Sequence, residues 1–183
     1  TLFRSYAQEG SEDFEELSIE ELKKLDLNEN DAVVALSASG RTPYAKGALK
    51  YAKEVGAAHI AVSCSRNAEL SKLGEVAIEV VTGAEVITGS TRLKAGTAQK
   101  MILNMLSTGS MIKSGKVYGN YMVDVRAGNH KLVERSKKII VDCTGVSREE
   151  AEKYLEISEG RVKLAVFMIL SQLNKEERDR KST

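Results

Sequence analysis

The chain has 183 residues, of which 29% are charged, and its formal net charge at pH 7 is +1. This length allows one sizeable core, or a core with an appendage. The balanced charge argues against a dedicated nucleic-acid or membrane-surface protein, and no apolar run approaches the roughly 20 residues of a membrane span. We therefore expect neither nucleic acid nor a membrane as a partner.

The two cysteines and two histidines suggest no metal site. Cys64 and Cys143 lack the spacing of metal ligands, and we expect free thiols in a reducing cytoplasm. His59 enters an apolar run and His130 lies in a polar stretch, so we interpret both as structural residues.

The two ends look foreign to the rest of the chain. Residues 1–5 (T-L-F-R-S) and 179–183 (D-R-K-S-T) can be encoded by DNA whose inner parts are reverse complements. A sequencing adapter translated at both ends of an assembled fragment would read in this way. We therefore expect residues 1–5 and 179–183 to be non-native, and residues 6–178 to come from a longer gene.

The first half of the chain alternates helical and strand patterns. Ser18 and Glu21 form an S-x-x-E capping box, which predicts a helix from about Ser18. Short apolar runs that alternate with helices indicate a parallel sheet in a three-layer α/β domain. The predicted strands are residues 31–36, 58–63 and 76–81, and the helices between them are residues 43–55 and 67–73.

The second half is predicted to be helical. Apolar residues recur at three- and four-residue spacing after Thr91, so a helix with a core-facing stripe is expected up to about Gly115. Further helices are predicted at residues 131–143, at residues 148–158 after a capping box of Ser147 and Glu150, and at residues 161–173. The stripe consists of Ala95, Ala98, Ile102, Met105 and Leu106. We place the domain boundary between residues 6–115 and a helical subdomain at 116–178.

Two loops have the chemistry of anion sites. After the first strand, Gly40 permits close backbone approach, while Thr42 and Pro43 suit the start of a helix. Residues 83–100 form a second loop with two glycines, followed by a helix that Ser90 or Thr91 would cap. Arg92 and Lys94 would add charge at the helix N-terminus, where unpaired N–H groups attract anions. An ordinary capped helix is the alternative interpretation of this stretch taken alone.

Residues 83–100, G-A-E-V-I-T-G-S-T-R-L-K-A-G-T-A-Q-K, resemble without a gap the signature of the N-acetylmuramic acid 6-phosphate etherases. Glucokinase regulatory proteins share this signature. Residues 103–116 and 119–126 also resemble the etherases. The S-A-S-G-R-T of residues 37–42 resembles the sugar-phosphate loop of sugar isomerase (SIS) domains, although the etherases usually carry alanine at the position of Ser37.

The resemblance implies a partial three-layer SIS-type parallel sheet, followed by an all-helical C-terminal subdomain. It also implies a sugar-phosphate substrate, a homodimer and no cofactor. Glu12, the second glutamate of E-G-S-E-D, is implied as a catalytic acid or base whose partner carboxylate lies upstream of this chain. The implied substrate-binding residues are Ser37, Ser39, Gly40, Arg41, Thr42, Glu85, Ser90, Arg92 and Lys94.

The implied reaction cleaves the lactyl ether of N-acetylmuramic acid 6-phosphate and requires no metal. One alternative is a non-catalytic sugar-phosphate-sensing protein of the glucokinase-regulator type. Another is an isomerase of the same domain family, which would need a catalytic histidine or lysine near the sugar, and neither histidine is placed for that role.

Overall fold

The computed structural model describes residues 10–125 and 128–171. The chain forms two compact units, which divide between Met105 and Leu106. The first unit contains a parallel sheet with helices, and the second contains helices with a small hairpin. The boundary predicted after Gly115 lies further along the chain and stays a prediction.

The sheet of the first unit has three parallel strands in the order β1 (Ala32–Ser37), β2 (Ala58–Ser63) and β3 (Val76–Glu79). The α/β prediction is therefore confirmed. Ser37 of β1 lies opposite Ser63 of β2, which lies opposite Glu79 of β3. Three polar residues thus form one row across the sheet at the carboxyl ends of its strands.

Helix α1 (Glu15–Lys24) precedes the sheet of this unit, and α2 (Pro43–Glu54) lies between β1 and β2 in the chain. Helix α2 packs against α1 and also against β1 and β2, because its small and apolar residues are buried. The core between helix and sheet consists of Ala35, Ala45, Leu49, Ala61 and Leu70.

The predicted start of α1 is wrong. The helix begins at Glu15, and Phe14 takes the N-cap position that was predicted for Ser18. The Ser18 hydroxyl is buried and donates to the Glu15 carbonyl at 2.7 Å. A Cβ added to Gly47 of α2 would come within 2.6 Å of that hydroxyl. Ser18 is therefore a small residue at a close helix contact rather than a cap.

The helix predicted for residues 67–73 is also wrong. This segment contains only a short 3-10 turn, Leu70–Lys72, and Asn67 has a positive φ of 51°. The Glu79 carboxylate accepts hydrogen bonds from the backbone N–H groups of Asn67 and Ala68. Because this carboxylate holds the segment as a loop, tertiary contacts override its helical pattern.

Helix α3 (Lys94–Lys113) runs across the division between the two units. It begins three residues later than predicted, since Glu85 rather than a hydroxyl binds its first N–H groups. Ala95 and Ile102 of the predicted apolar stripe are buried. Met105 is 62% exposed, so its predicted place in the core is wrong.

The second unit contains the last part of α3 and a hairpin of β4 (Val117–Tyr118) and β5 (Tyr121–Met122). Three helices follow the hairpin, α4 (His130–Thr144), α5 (Arg148–Ile157) and α6 (Val162–Ser171). Its core contains Ile140, Ala151, Val162 and Ala165. The predicted Ser147 and Glu150 capping box is confirmed. Sequence analysis missed the hairpin, whose strands have two residues each. The predicted helix end at Leu173 and the resemblance at Arg126 fall outside the described residues.

Within the described ranges, no helix is long and apolar enough to cross a membrane.

Candidate functional site

Three hydroxyl groups meet in the loop that follows β1. Ser37 is only 4% exposed, and its Oγ accepts a hydrogen bond from the Gly40 N–H at 3.0 Å. The same oxygen lies 2.8 Å from Thr42 Oγ1 and 3.4 Å from Ser39 Oγ. Ser39 itself is exposed and accepts from the Arg41 N–H. The loop therefore presents Ser39 to solvent and keeps Ser37 beneath it.

Gly40 lies where no side chain fits. Its φ is 69°, and an added Cβ would lie 2.3 Å from the Cβ of Ala68. The Gly40 carbonyl accepts from the Leu70 N–H at 2.9 Å. The predicted close backbone approach at Gly40 is thus present, and its neighbour is the loop after β2.

Thr42 occupies the N-cap position of α2, and Pro43 is the first residue of that helix. The Thr42 hydroxyl turns to Ser37 instead of capping the helix. Arg41 is exposed. The hydrogen bond from Lys46 is the largest cause that lowers the pKa of Glu69, and the charge of Arg41 adds to it. A cation and two hydroxyls thus surround the amino end of α2, where the helix dipole favours an anion.

The N-terminus of α3 is already occupied by a carboxylate of the chain. Glu85 accepts hydrogen bonds from the N–H groups of Lys94 and Ala95, each at 3.0 Å. These N–H groups, that of Ala95 first, hold the pKa of Glu85 below its usual range. The Lys94 Nζ donates to the Ala84 carbonyl at 2.7 Å. The predicted cap by Ser90 or Thr91 is therefore wrong, and Glu85 takes the place that an external anion was expected to fill.

The remaining residues of this segment lie between Glu85 and the helix. The Ser90 N–H donates to the Ile87 carbonyl at 3.1 Å, and the Ser90 side chain is half-buried. Arg92 is exposed in the turn just before α3. These positions make Arg92 accessible to a solvent-borne ligand.

Cys64 lies between the two loops. Its N–H donates to the Ala38 carbonyl at 3.0 Å, and its Sγ lies 3.8 Å from the Ala95 carbonyl oxygen. The loop after β1 and the start of α3 therefore both lie close to Cys64, just beyond the carboxyl end of β2. Burial, followed by the negative charge of Glu85, raises the pKa of the Cys64 thiol, so we expect it to stay protonated at neutral pH.

The predicted catalytic residue Glu12 lies elsewhere. It is exposed in the short turn Ser11–Asp13, which packs against α2. Helices α1 and α2 are antiparallel, because Glu15 pairs with Lys50 and Glu21 accepts from Tyr44. The Glu12 turn therefore lies toward the carboxyl end of α2, and the Ser39 loop lies at its amino end. A helix of 12 residues is about 18 Å long, so the described unit does not bring Glu12 and Ser39 together.

Comparison with known proteins identifies the family. Residues 13–109 match the SIS domain. The chain belongs to the SIS domain family. Residues 119–159, which follow the SIS domain, match the C-terminal lid domain of glucokinase regulatory protein.

Curated relatives agree with this result. The chain is 60% identical over 166 residues to the N-acetylmuramic acid 6-phosphate etherase of Bacillus cereus, covering 91% of this chain and 56% of that relative. It is 55% identical over 171 residues to the enzyme of the same name from Clostridium beijerinckii, covering 93% and 56%. The resemblance predicted from the signature is confirmed, and the chain spans little more than half the length of these relatives.

Glu79 is a residue of the SIS domain that sequence analysis missed. Its Oε1 accepts from the Ala68 N–H at 3.0 Å and from the Ser71 hydroxyl at 2.6 Å, and its Oε2 accepts from the Asn67 N–H at 3.0 Å. The Ser71 hydroxyl, followed by the Ala68 and Asn67 N–H groups, lowers the pKa of Glu79. An acidic residue that ends an apolar strand, V-A-I-E, is the signal that could have identified it.

The described part of the SIS domain and of the second unit holds no group of three His, Cys, Asp or Glu side chains suited to a metal ion. His59 lies in β2, and its Nδ1 is 3.0 Å from the Ala57 carbonyl oxygen.

Proposed function

We propose that this chain is part of an N-acetylmuramic acid 6-phosphate etherase. The observation that carries the proposal is its 60% identity, over 91% of its length, to a Bacillus cereus protein of that name. The ungapped signature at residues 83–100 and the hydroxyl-lined loop at residues 37–42 support it. Its substrate is then a sugar phosphate, and its product sugar enters amino-sugar recycling in the cytoplasm.

The proposed reaction is an elimination followed by addition of water. Ring opening gives an aldehyde at carbon 1, which makes the proton on carbon 2 acidic. A base removes this proton, the bond between carbon 3 and the lactyl oxygen breaks, and an acid protonates the departing D-lactate. Water then adds across the double bond and gives N-acetylglucosamine 6-phosphate. A positioned acid or base contributes about 10² to 10⁴ in rate.

We place the phosphate on the loop after β1, with Ser39, Gly40, Arg41 and Thr42 in contact and Ser37 beneath. Helix α2 starts at this loop, and its N-terminus favours the phosphate charge. The Ser90 to Lys94 turn, which precedes the Ala95 carbonyl beside Cys64, would add the exposed Arg92. Because the Glu85 carboxylate accepts from the first N–H groups of α3, these groups are not free to bind the phosphate. In this proposal the segment therefore binds the phosphate through side chains.

The distance between Glu12 and Ser39 has a consequence for the proposed assembly. A sugar phosphate is far shorter than α2, so one copy of the chain cannot place Glu12 on a sugar whose phosphate lies on its own Ser39 loop. We therefore propose a homodimer in which Glu12 of one copy serves the phosphate loop of the other. A two-fold dimer forms two such sites at once.

Mixing two inactive variants tests this proposal. The reconstituted protein is this chain joined to the part of the Bacillus cereus relative that it does not cover. Glu12→Gln inactivates one variant, and the double change Ser39→Ala and Thr42→Val inactivates the other. If Glu12 acts across a dimer, half of the mixed dimers' sites regain both groups, and D-lactate release should recover to about a quarter of the unmodified rate.

The two variants are unfolded together and refolded so that their subunits exchange. In the control, each inactive variant is unfolded and refolded alone. If Glu12 acts within its own copy, every site retains one defect, and mixing should restore nothing. A Glu12→Gln protein with normal D-lactate release would remove the catalytic role of Glu12.

The match of residues 119–159 to a lid domain of glucokinase regulatory protein favours a second candidate. This candidate is a sugar-phosphate-sensing protein without turnover. The reconstituted protein distinguishes the two, because an etherase releases D-lactate from N-acetylmuramic acid 6-phosphate, whereas a sensor binds the sugar phosphate and releases none.

A further inference from the structure

The loop after β2 forms the support on which the proposed phosphate loop rests. Its Cys64 N–H and Ser65 hydroxyl both donate to the Ala38 carbonyl, at 3.0 and 3.3 Å. Its Leu70 N–H donates to the Gly40 carbonyl at 2.9 Å. These three hydrogen bonds fix the position of the backbone on either side of Ser39 relative to the loop after β2.

Packing fixes the same backbone from the side. A Cβ on Gly40 would lie 2.3 Å from Ala68 Cβ and 3.2 Å from Ser63 Cβ, so these side chains already touch the Gly40 backbone. Ala68 is buried, and Gly40 is held at a left-handed φ of 69°, so neither residue has room to move independently. A shift of Ala68 is therefore transmitted to Gly40 through direct contact.

Glu79 holds Ala68 in place. Its two carboxylate oxygens accept three hydrogen bonds from the loop after β2, two of them from the consecutive N–H groups of Asn67 and Ala68. Hydrogen bonds to a charged acceptor are about twice as strong as neutral ones. Glu79 is the last residue of β3, and its partners lie in the loop after β2.

We propose that Glu79 is a positioning residue of the phosphate site. Without touching the ligand, it holds the Asn67 and Ala68 backbone, and this backbone holds Gly40 and its loop in the conformation that receives a phosphate. The inference rests on the proposed phosphate loop, and it assigns a role in phosphate binding to the last residue of β3.

The test uses Glu79→Gln in the reconstituted protein. A glutamine oxygen can accept from one of the two N–H groups, but its amide nitrogen then faces the other donor. We expect the amide hydrogens of Asn67, Ala68 and Gly40 to exchange faster. Inorganic phosphate should bind about tenfold more weakly, because small displacements at a binding site are costly. The Michaelis constant should rise while kcat stays within about twofold.

Matched variants separate positioning from a general loss of stability. Glu75→Gln removes the same charge from the opposite end of β3, near His59, and should leave phosphate binding unchanged. Ser71→Ala removes one of the three hydrogen bonds and keeps the charge, so it should give a smaller effect of the same kind if Glu79→Gln does not fold.

Ser39→Ala is the positive control for the phosphate loop. If Ser39→Ala weakens phosphate binding and Glu79→Gln does not, the positioning role is wrong and the proposed phosphate loop stands. If Ser39→Ala leaves binding unchanged, the phosphate binds elsewhere, and the proposed site and this inference both fail. Equal losses in Glu75→Gln and Glu79→Gln would show a charge effect and would also overturn the inference.

Discussion

Gly40 shows how one missing side chain sets the geometry of the proposed site. Two independent constraints act on it, a left-handed φ of 69° and a neighbour that would lie 2.3 Å from a Cβ. Gly83 has the same φ of 69°, and nothing lies within 4 Å of its would-be Cβ. The two glycines therefore share the same left-handed φ but differ in their contacts.

We predict that Gly40→Ala destabilises the reconstituted protein more than Gly83→Ala does. The left-handed conformation costs an alanine about 1 to 2 kcal/mol at either position. Overpacking against Ala68 should add about 1 to 3 kcal/mol at Gly40 alone. Urea unfolding of both variants measures the difference, and equal losses of stability would mean that the Ala68 contact is soft.

Hydroxyl residues of the same loop show what sequence can and cannot predict. The types Ser39, Gly40 and Thr42 indicated an anion loop, and the structure places all three in one turn after β1. Local pattern did not reveal that Ser37 is buried and that Thr42 bonds to it rather than to α2. Those choices depend on which atoms the fold brings within reach.

At the scale of elements, two identical patterns have opposite outcomes. The S-x-x-E box at Ser147 caps α5, and the S-x-x-E pattern at Ser18 lies inside α1. The difference lies in tertiary contact, since Ser18 packs against Gly47 of another helix. By contrast, β2 spans the predicted residues 58–63. A short apolar run can be identified from the local sequence alone, whereas the role of Ser18 depends on a contact with another helix.

The start of α3 should be sensitive to acid. Since hydrogen bonds from the N–H groups of Ala95 and Lys94 lower the pKa of Glu85 in the folded state, the carboxylate stabilises the fold fully above its ordinary pKa of 4.5. This stabilisation is lost as the pH falls through the lowered folded pKa. We predict that hydrogen-exchange protection at Lys94 and Ala95 falls with it.

Helix α4 provides the internal control. Its N-cap is the Asn129 side chain, which accepts from the Leu132 N–H at 2.9 Å and does not titrate. Protection at Leu132, corrected for the intrinsic exchange rate, should therefore stay constant over the same pH range. A Glu85→Gln variant should lose the pH dependence at Lys94, and a persistent dependence would assign it to another group.

For the whole molecule, the unpaired edge of the described sheet at β1 is the feature that bears on association. Strand β1 pairs only with β2 in the described sheet, and a groove beside it is lined by Leu22, Leu25, Val33 and Leu36. Leu25 is 75% exposed. Exposed strand edges and apolar surfaces promote association.

We predict that residues 6–178 expressed alone associate and release no D-lactate, whereas the reconstituted protein stays in solution and does. Each uncovered large aliphatic side chain forfeits about 1.5 to 3 kcal/mol, against a typical stability of about 5 to 15 kcal/mol. Light scattering, thermal melting and a D-lactate assay on both proteins provide the measurement. A cooperatively melting and active chain 6–178 would contradict the prediction.

The hydrogen bonds from Lys94 and Ala95 to Glu85 close the signature into a ring. The entropy of closing a flexible loop grows only with the logarithm of its length, so doubling the loop adds about 0.6 kcal/mol. Closure alone would therefore tolerate extra residues between Val86 and Leu93. The direction in which Arg92 leaves the ring, however, changes with every inserted residue. A change in the number of residues in this ring should therefore leave folding intact but move Arg92 away from its position. Variants in loop length would thus separate the contribution of Arg92 from the stability of the fold.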